Sequence, residues 1–359
     1  MENVRILAIN PGSTSTKIAV YENTNPIFIK NLKHSSVDLE KFENLAAQFE
    51  FRKNIILDEL HKAEIDLQTI NAIVGRGGLV KPIESGVYRI NENLIRDLRN
   101  SPLGEHASNL GGLIANDLAK LLPNAEAFIA DPVVVDELQP LARVSGHPAF
   151  TRRSIFHALN QKAIARQHAK SVMKKYEDLN LIVVHLGGGI TVGAHQKGRV
   201  VDVNQGLDGE GPFSPERSGT LPAGDLVSLC FSGKYTKEQI KKMIKGEGGL
   251  VAFVGTNSAY EVEERAKSGD DKALFYWEAM AYQVAKQIGS LIPALKCEVD
   301  AILITGGIAH SKWFVNLIIE RVYKLAPVHV YPGEDEMSAL AMNGLLVLKG
   351  EIQPREYDK

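Results

Sequence analysis

Only two cysteines, Cys230 and Cys297, occur in 359 residues. That is too few for a disulfide framework or a thiolate metal site, so a reducing compartment is expected. No run approaches the roughly 20 apolar residues that a membrane-spanning helix needs. A strand begins almost at once, at Val4, leaving no room for a signal peptide; a cytoplasmic protein without membrane contact is expected. Neither sign of charge is in excess: 41 Lys plus Arg stand against 43 Asp plus Glu, a net charge of −2. This balance gives no reason to expect a broad basic surface for nucleic acid and leaves room for a local anion pocket. Linkers rich in Gly or Pro and low-complexity tracts are absent. So are several catalytic motifs: no Gly-x-Gly-x-x-Gly opens a helix after the first strand, and neither a Gly-x-Ser-x-Gly elbow nor a His-Glu-x-x-His helix occurs. Gly193 to Gly198 has the glycine spacing of a P-loop, but Arg199-Val200 stands where Lys-Ser/Thr is required.

What is present reads as an ordinary globular chain, 44% hydrophobic and 23% charged, long enough for two domains with cores of their own. Periodicity predicts strands at 4–9, 18–21 and 26–30, a helix over 38–64, a strand at 72–75, a helix over 106–122 broken near Gly111-Gly112, and a strand at 125–130 that delivers Asp131. A helix over 154–176 then precedes strands at 180–185, 191–195 and 199–203. Several helices follow between 224 and 295, the longest from about 271. A strand at 299–305, a helix at 311–325, a strand at 328–331 and a helix at 335–348 complete the chain. Three strands followed by alternating elements thus occur twice. This implies two related α/β domains, 1–150 and 151–334, with an active-site cleft between them and the segment 335–359 completing the first.

Three strands end in turns of glycine or small polar residues: Asn10 to Thr16, His185 to Thr191 with Gly187, Gly188 and Gly189, and Thr305 to Ile308. One such turn can be merely structural. Three at equivalent points of a duplicated fold point to a nucleotide, because backbone amides unshielded by side chains approach a polyphosphate closely. Arg76 follows a strand between glycines, and Arg217 lies in the irregular loop from Gly209 to Pro222. An exposed arginine is usually only solvated; in such loops the other reading is a guanidinium fork for carboxylate and phosphoryl oxygens.

Asn10-Pro-Gly-Ser-Thr-Ser-Thr-Lys17, His185-Leu-Gly-Gly-Gly-Ile-Thr191 and Thr305-Gly-Gly-Ile308 resemble the signatures of the acetate kinase family, within the larger group of sugar kinases, actin and heat-shock chaperone ATPases. Asp131-Pro-Val-Val-Val-Asp136, Ser154-Ile-Phe-His-Ala-Leu-Asn160 and Gly211-Pro-Phe-Ser-Pro-Glu-Arg-Ser-Gly-Thr-Leu-Pro222 resemble its butyrate kinase branch. The likeness runs in order from residue 4 to about 349. It implies duplicated actin-like (ribonuclease H-like) domains, ATP/ADP and Mg2+ as cofactors, and a homodimer or higher homo-oligomer. The implied reaction is reversible transfer of the γ-phosphoryl of ATP to a short-chain carboxylate, giving an acyl phosphate. Butyrate is the expected acceptor; acetate, propionate or a branched acid are the alternatives, and an actin-like ATP-switched binding module is the alternative from another class.

The resemblance also distributes roles. Arg76 and Arg217 match the two substrate arginines, Asp131 the catalytic aspartate that orients magnesium and the phosphoryl group, and His157 the histidine that bonds its equatorial oxygens. Asn10, Ser13, Thr14, Ser15, Lys17, His185, Gly187, Gly188 and Gly189 fall on the phosphate side, and Gly306, Gly307 and Ile308 on the adenosine side. Asn10, Asp131 and Glu336 are the metal residues, with the register inside Glu334-Asp335-Glu336 open, since such acids otherwise serve a helix N-terminus. His106 resembles a second family histidine across an insertion. Gly188 stands where acetate kinases carry asparagine. Gly78 replaces an aliphatic pocket side chain and is expected to free room for one or two methylenes, each worth about 0.8 kcal/mol when buried. Phe156 and Phe213 are the candidate pocket walls, with core packing as their alternative.

Overall fold

The computed structural model describes residues 3–358. The chain divides into two compact units: one runs to Val135 and resumes at Asp335, and the other spans Asp136–Glu334. In the first, β1 (Arg5–Pro11), β2 (Ser15–Glu22) and β3 (Asn25–Lys33) form an antiparallel meander, and β4 (Ile70–Arg76) joins parallel to β1. After the three-residue β5 (Val87–Arg89), β6 (Glu126–Ala130) pairs parallel to β4 and antiparallel to β5, giving the order β3-β2-β1-β4-β6-β5. In the second unit, β7 (Asn180–Leu186), β8 (Ile190–Gln196) and β9 (Arg199–Val203) form another meander. Here β10 (Ala301–Gly306) and β11 (Val328–Pro332) extend it in parallel, in the order β11-β10-β7-β8-β9. Taken outward from each meander's far edge, β3-β2-β1-β4-β6 and β9-β8-β7-β10-β11 are one topology with the same strand directions. The order of elements that recurs in the sequence is therefore a duplicated fold.

Central strands such as β7, buried at every position, are near-continuous apolar runs because helices cover both faces of the sheet. Alternate residues face opposite ways. In the first unit Leu7, Ile9 and Ile73 join one core with Leu110 and Ile114 of the helix Asn109–Ala119, whereas Ile6 and Val74 meet Gly344 of the helix Glu336–Leu348. In the second, the helix Asp271–Leu291 starts at a cap in which Asp270 accepts from Ala273 N–H at 3.0 Å. It buries Trp277, Met280, Val284 and Ile288 in the core of that unit. Its apolar stripe is thus core, and Phe275 and Tyr282 are what it leaves exposed.

Several boundaries differ from the sequence expectation for identifiable reasons. The helix expected over 106–122 is Asn109–Ala119, and Gly111-Gly112 does not break it. These glycines serve close approach: a Cβ at Gly75 would stand 2.2 Å from the carbonyl oxygen of Gly111, and one at Gly111 2.5 Å from that of Arg76. The helix rests on the backbone at the end of β4. Residues 136–150 belong with the second unit, where Gln139 N–H donates to Val201 O at 2.9 Å. Arg152 further ties Ala142 O, Asp202 and Glu210 together there at 2.8, 2.9 and 2.5 Å. The division hence falls after Val135 and not at 150, with no linker composition to mark it. The strand β5 and the C-terminal tail had no sequence signal: Arg355 exchanges backbone bonds with Val87 and Arg89, and Tyr357 OH donates to Asp97 at 2.6 Å. Among the described residues no helix is long and apolar enough to cross a membrane.

Candidate active site

In the first unit the sheet registers Ile9 with Gly75 and Arg76 with Ala130. Asn10, Arg76 and Asp131 therefore occupy neighbouring places at the carboxyl ends of three parallel strands, where open α/β sheets hold their ligands. Arg76 forms a forked pair with Glu336, Nη2 to Oε1 at 2.9 Å and Nη1 to Oε2 at 2.9 Å, and also donates to Asn10 Oδ1 at 3.2 Å. Asn10 Nδ2 donates to Glu336 Oε2 at 2.6 Å. The three neighbouring acids differ in place: Asp335 caps its helix by accepting from Ser338 N–H at 2.9 Å, Glu334 lies 3.6 Å from His185, both within the second unit, and Glu336 is the acid that meets Asn10 and Arg76. Asp131 is buried with φ at 37°, a left-handed conformation uncommon outside glycine. Its Oδ1 accepts from Ser85 Oγ at 2.6 Å and Gly86 N–H at 2.9 Å.

The β1–β2 turn carries Ser13 and Thr14 exposed, Ser15 half-buried, and exposed Lys17 paired in register with Asn10. Its carbonyls turn inward onto Arg52, a fully buried residue of the helix Phe49–Lys62. Arg52 donates to Gly12 O at 2.8 Å, Ser13 O at 3.0 Å, Ser15 O at 3.1 Å and Thr16 Oγ1 at 3.1 Å, and Gln48 Oε1 takes Nε and Nη2 at 3.1 and 2.8 Å. No carboxylate pairs with it among the described residues, and burial lowers its pKa to about 10. His34, bonded to Thr16 Oγ1 at 2.9 Å, is pushed down to about 4 by burial and then by Arg52. A buried cation without an acid partner thus sits directly behind the turn and adds its positive potential there. Sequence reasoning missed Arg52, which looked like one more charge on a predicted helix.

In the second unit Gly187, Gly188 and Gly189 connect β7 to β8, and none has a left-handed φ. Two of them are there for space. A Cβ at Gly189 would stand 1.9 Å from Arg217 Nη1, and one at Gly187 2.8 Å from His185 Nε2. Gly188 is exposed, with only the Glu216 carboxyl near, at 3.7 Å. Arg217 donates from Nη1 to Gly206 O at 2.6 Å, while its buried Nε has no acceptor. Desolvation lowers its pKa, opposed by Glu216. Unlike Arg76, it makes no ion pair among the described residues. His157 immediately precedes the helix Ala158–Ser171 and stacks on buried His185, ring centroids 3.8 Å apart and planes 14° from parallel. His157 Nδ1 meets Thr191 Oγ1 at 2.9 Å, and His185 Nδ1 meets Asn160 Oδ1 at 3.0 Å.

Gly306 has φ of 100° and would carry its Cβ 2.2 Å from Leu186 O, so glycine is required there on both counts. Gly307 faces open space, and with Ile308, Tyr260, Trp277, Lys312 and Trp313 it lines a cavity of about 630 Å³, within the range of small-molecule sites.

One expectation needs correction. Gly78 frees no volume: a Cβ there would fall 2.1 Å from Asn109 Oδ1 and 2.6 Å from Asn109 Cα. Asn109 fills the space and is fixed by Leu79 N–H and Ser101 Oγ, each at 2.8 Å. Phe213 packs in the main core of its unit, edge-to-face on Phe253 at 5.7 Å, and Phe156 is likewise buried. His106 makes a local turn, its Nδ1 bonded to Ser108 Oγ at 2.7 Å.

Because the Gly189 clash is with the mobile end of a side chain, Gly189→Ala should fold while displacing Arg217. A fall in kcat of about tenfold or more is expected, and in an Arg217→Met background the same change should have little further effect, since coupled residues are not additive. Equal effects in both backgrounds would show that Gly189 does not act through Arg217.

Comparison with known proteins agrees with this geometry. The chain is 56% identical over 353 residues to Butyrate kinase 1 of Clostridium acetobutylicum and 54% identical over 353 residues to Butyrate kinase 2 of the same organism, in each case covering 98% of this chain and 99% of the relative. The crystal structure of Porphyromonas gingivalis acetate kinase superposes with a TM-score of 0.78 at 18% identity, over 96% of this chain and 100% of that one. It shares the fold. Residues 145–332 match the Acetokinase family, and with this stretch, the full-length identity and the duplicated topology together, the chain belongs to the acetokinase family.

Proposed function

We propose that this chain is an ATP-dependent carboxylate kinase whose acceptor is butyrate: a carboxylate oxygen takes the γ-phosphoryl of ATP, giving butanoyl phosphate and ADP, reversibly. The observation that carries the reading is Arg217, a guanidinium with a buried, acceptor-free Nε and no ion pair among the described residues, packed on the bare backbone of Gly189. A buried donor left unpaired costs about 1–3 kcal/mol, a cost that an arriving phosphoryl or carboxylate oxygen removes. The likeness to two butyrate kinases supports the choice of acceptor.

A short-chain carboxylate has a pKa of about 4.3 and is ionised at neutral pH, so the protein needs no general base. Its task is electrostatic: an anion must approach a polyphosphate, and charge spreads over the equatorial oxygens in transfer. Arg217 and Arg76 serve as the two cations for that charge, and His157 as a hydrogen-bond donor to it. For Arg76 to turn to substrate, Glu336 must find another cation. The donors present fit Mg2+, because Glu336, Asp131 and Asn10 offer hard oxygens. Among the described residues no three His, Cys, Asp or Glu side chains converge, so phosphates and water would complete the shell, as is usual for this ion. Mg2+ held by these residues would supply positive charge that neutralises the phosphate oxygens. Nucleotide phosphates are assigned to the Gly187–Gly189 and Gly12–Ser15 turns, and the nucleoside to the cavity at Gly307 and Ile308. A cytoplasmic homo-oligomer is part of the same proposal.

Purified protein with ATP, Mg2+ and hydroxylamine should form hydroxamate from butyrate faster than from C2, C3 or C5 acids. ATP hydrolysis without hydroxamate from any of these acids would favour the nucleotide-switched module instead.

A further inference from the structure

His157 is the end of a buried chain of polar groups that the reaction does not otherwise use. Tyr176 OH lies 2.6 Å from His195 Nδ1, His195 Nε2 lies 3.0 Å from Gln161 Oε1, Gln161 Nε2 lies 2.9 Å from Thr191 Oγ1, and Thr191 Oγ1 lies 2.9 Å from His157 Nδ1. Tyr176, His195, Gln161 and Thr191 are all buried. Their order has a built space: a Cβ at Gly193 would stand 2.6 Å from Gln161 Oε1 and 3.2 Å from His195 Nε2. Glycine at that place in β8 lets the amide and the imidazole meet.

Backbone groups at Thr191 and His157 set the direction of the bonds in the chain. Gln161 also approaches the carbonyl oxygen of Thr191, at 3.1 Å, and a carbonyl can only accept. The amide nitrogen of Gln161 must face Thr191, which leaves Oε1 facing His195. His195 therefore donates from Nε2, its Nδ1 accepts, and Tyr176 OH supplies that proton. At the other end Thr191 Oγ1 accepts from Gln161 Nε2 at 2.9 Å and, at the longer distance of 3.5 Å, from the backbone N–H of His157; with both lone pairs so engaged, its own hydrogen is directed to His157 Nδ1. Burial, followed by the positive charges of Lys162 and Arg166, holds the His195 pKa well below its ordinary value, so the chain stays neutral and one-way. Bonds aligned in this manner reinforce one another.

We propose that Thr191 and Gln161 are positioning residues that keep Nδ1 of the His157 ring an acceptor and so place its proton on Nε2, the donor offered to the phosphoryl oxygens. The catalytic part of this statement rests on the kinase reading above; the tautomer does not. Proton placement in the opposite sense would present a lone pair to an anion.

The test is a long-range proton–nitrogen correlation spectrum of protein labelled with 15N-histidine, without substrate, with the His157 signals assigned through His157→Gln. The parent should show a protonated Nε2 and an unprotonated Nδ1 at His157. Thr191→Val, of nearly equal shape and still carrying the carbonyl for Gln161, should give a mixture of tautomers. It should also lower kcat about tenfold to a hundredfold with KM for ATP nearly unchanged, a size typical of a lost donor to developing charge; Thr191→Ser should restore both. A parent spectrum with the proton on Nδ1 overturns the proposal without need of any variant, as does a Thr191→Val protein with parental tautomer and kcat. If the parent tautomer is as expected but no hydroxamate forms from any acid, the kinase reading fails and the positioning chain stands.

Discussion

Arg217→Met is expected to lower kcat for acyl phosphate formation by about 10²–10³-fold, the loss typical when one preorganised donor to developing charge is removed, while ADP affinity changes little. The folded state should not suffer. Arg217 is a cation with one carbonyl partner, a buried Nε without an acceptor and no ion pair among the described residues, so the relief of a desolvated charge on going to an apolar chain of similar length offsets the donor lost to Gly206 O. The thermal midpoint should hold or rise as activity collapses. That combination separates a functional arginine from a structural one. Arg217→Lys should rescue little, because an ammonium lacks the planar fork. A Met variant that turns over at near-parental rate would remove Arg217 from the mechanism.

Arg52→Met is expected to do the opposite, losing stability first. The substitution strips donors from the carbonyls of Gly12 and Ser13 and from Gln48 Oε1, while Ser15 O keeps Gly12 N–H at 2.7 Å. Each buried acceptor left unmet costs about 1–3 kcal/mol, so a loss of about 3 kcal/mol or more is expected, read as a fall in the denaturant midpoint. Below the transition the variant should show a raised KM for ATP, since the turn carrying Ser13 and Thr14 loses both its brace and the charge behind it. A change of less than about 1 kcal/mol, within the range of ordinary surface substitutions and mild core changes, would mean that the turn holds its own shape.

These two arginines also mark what was and was not legible in the sequence. The strands were plain, because β1, β4, β7 and β10 are buried on both faces and read as unbroken apolar runs. The duplication followed from the order of elements alone. Arg217 was visible because it stands in an irregular loop, and Arg76 because glycines flank it. Arg52 was not, since its partners are backbone carbonyls some forty residues away, and a carbonyl carries no signature in a sequence. Thr191 and Gln161 were hidden for a related reason: their meaning lies in the direction of hydrogen bonds, which only the tertiary structure sets. Gly78 was misread because the absence of a side chain was taken for empty space, and the structure puts Asn109 there. Choosing among Glu334, Asp335 and Glu336 depended on which one meets Asn10 and Arg76, a contact spanning 326 positions in the first case.

The most direct test of the central claim, that a carboxylate anion is brought onto phosphorus, is an oxygen label. Protein supplied with ATP, Mg2+ and butyrate carrying 18O in both carboxylate oxygens, in unlabelled water with hydroxylamine, should release phosphate bearing one 18O, seen as an isotope-shifted 31P resonance. The bridging oxygen of butanoyl phosphate comes from the acid, and hydroxylamine attack at the acyl carbon leaves that oxygen on phosphorus. Phosphate without label, released at the same rate whether or not butyrate is present, would contradict the account.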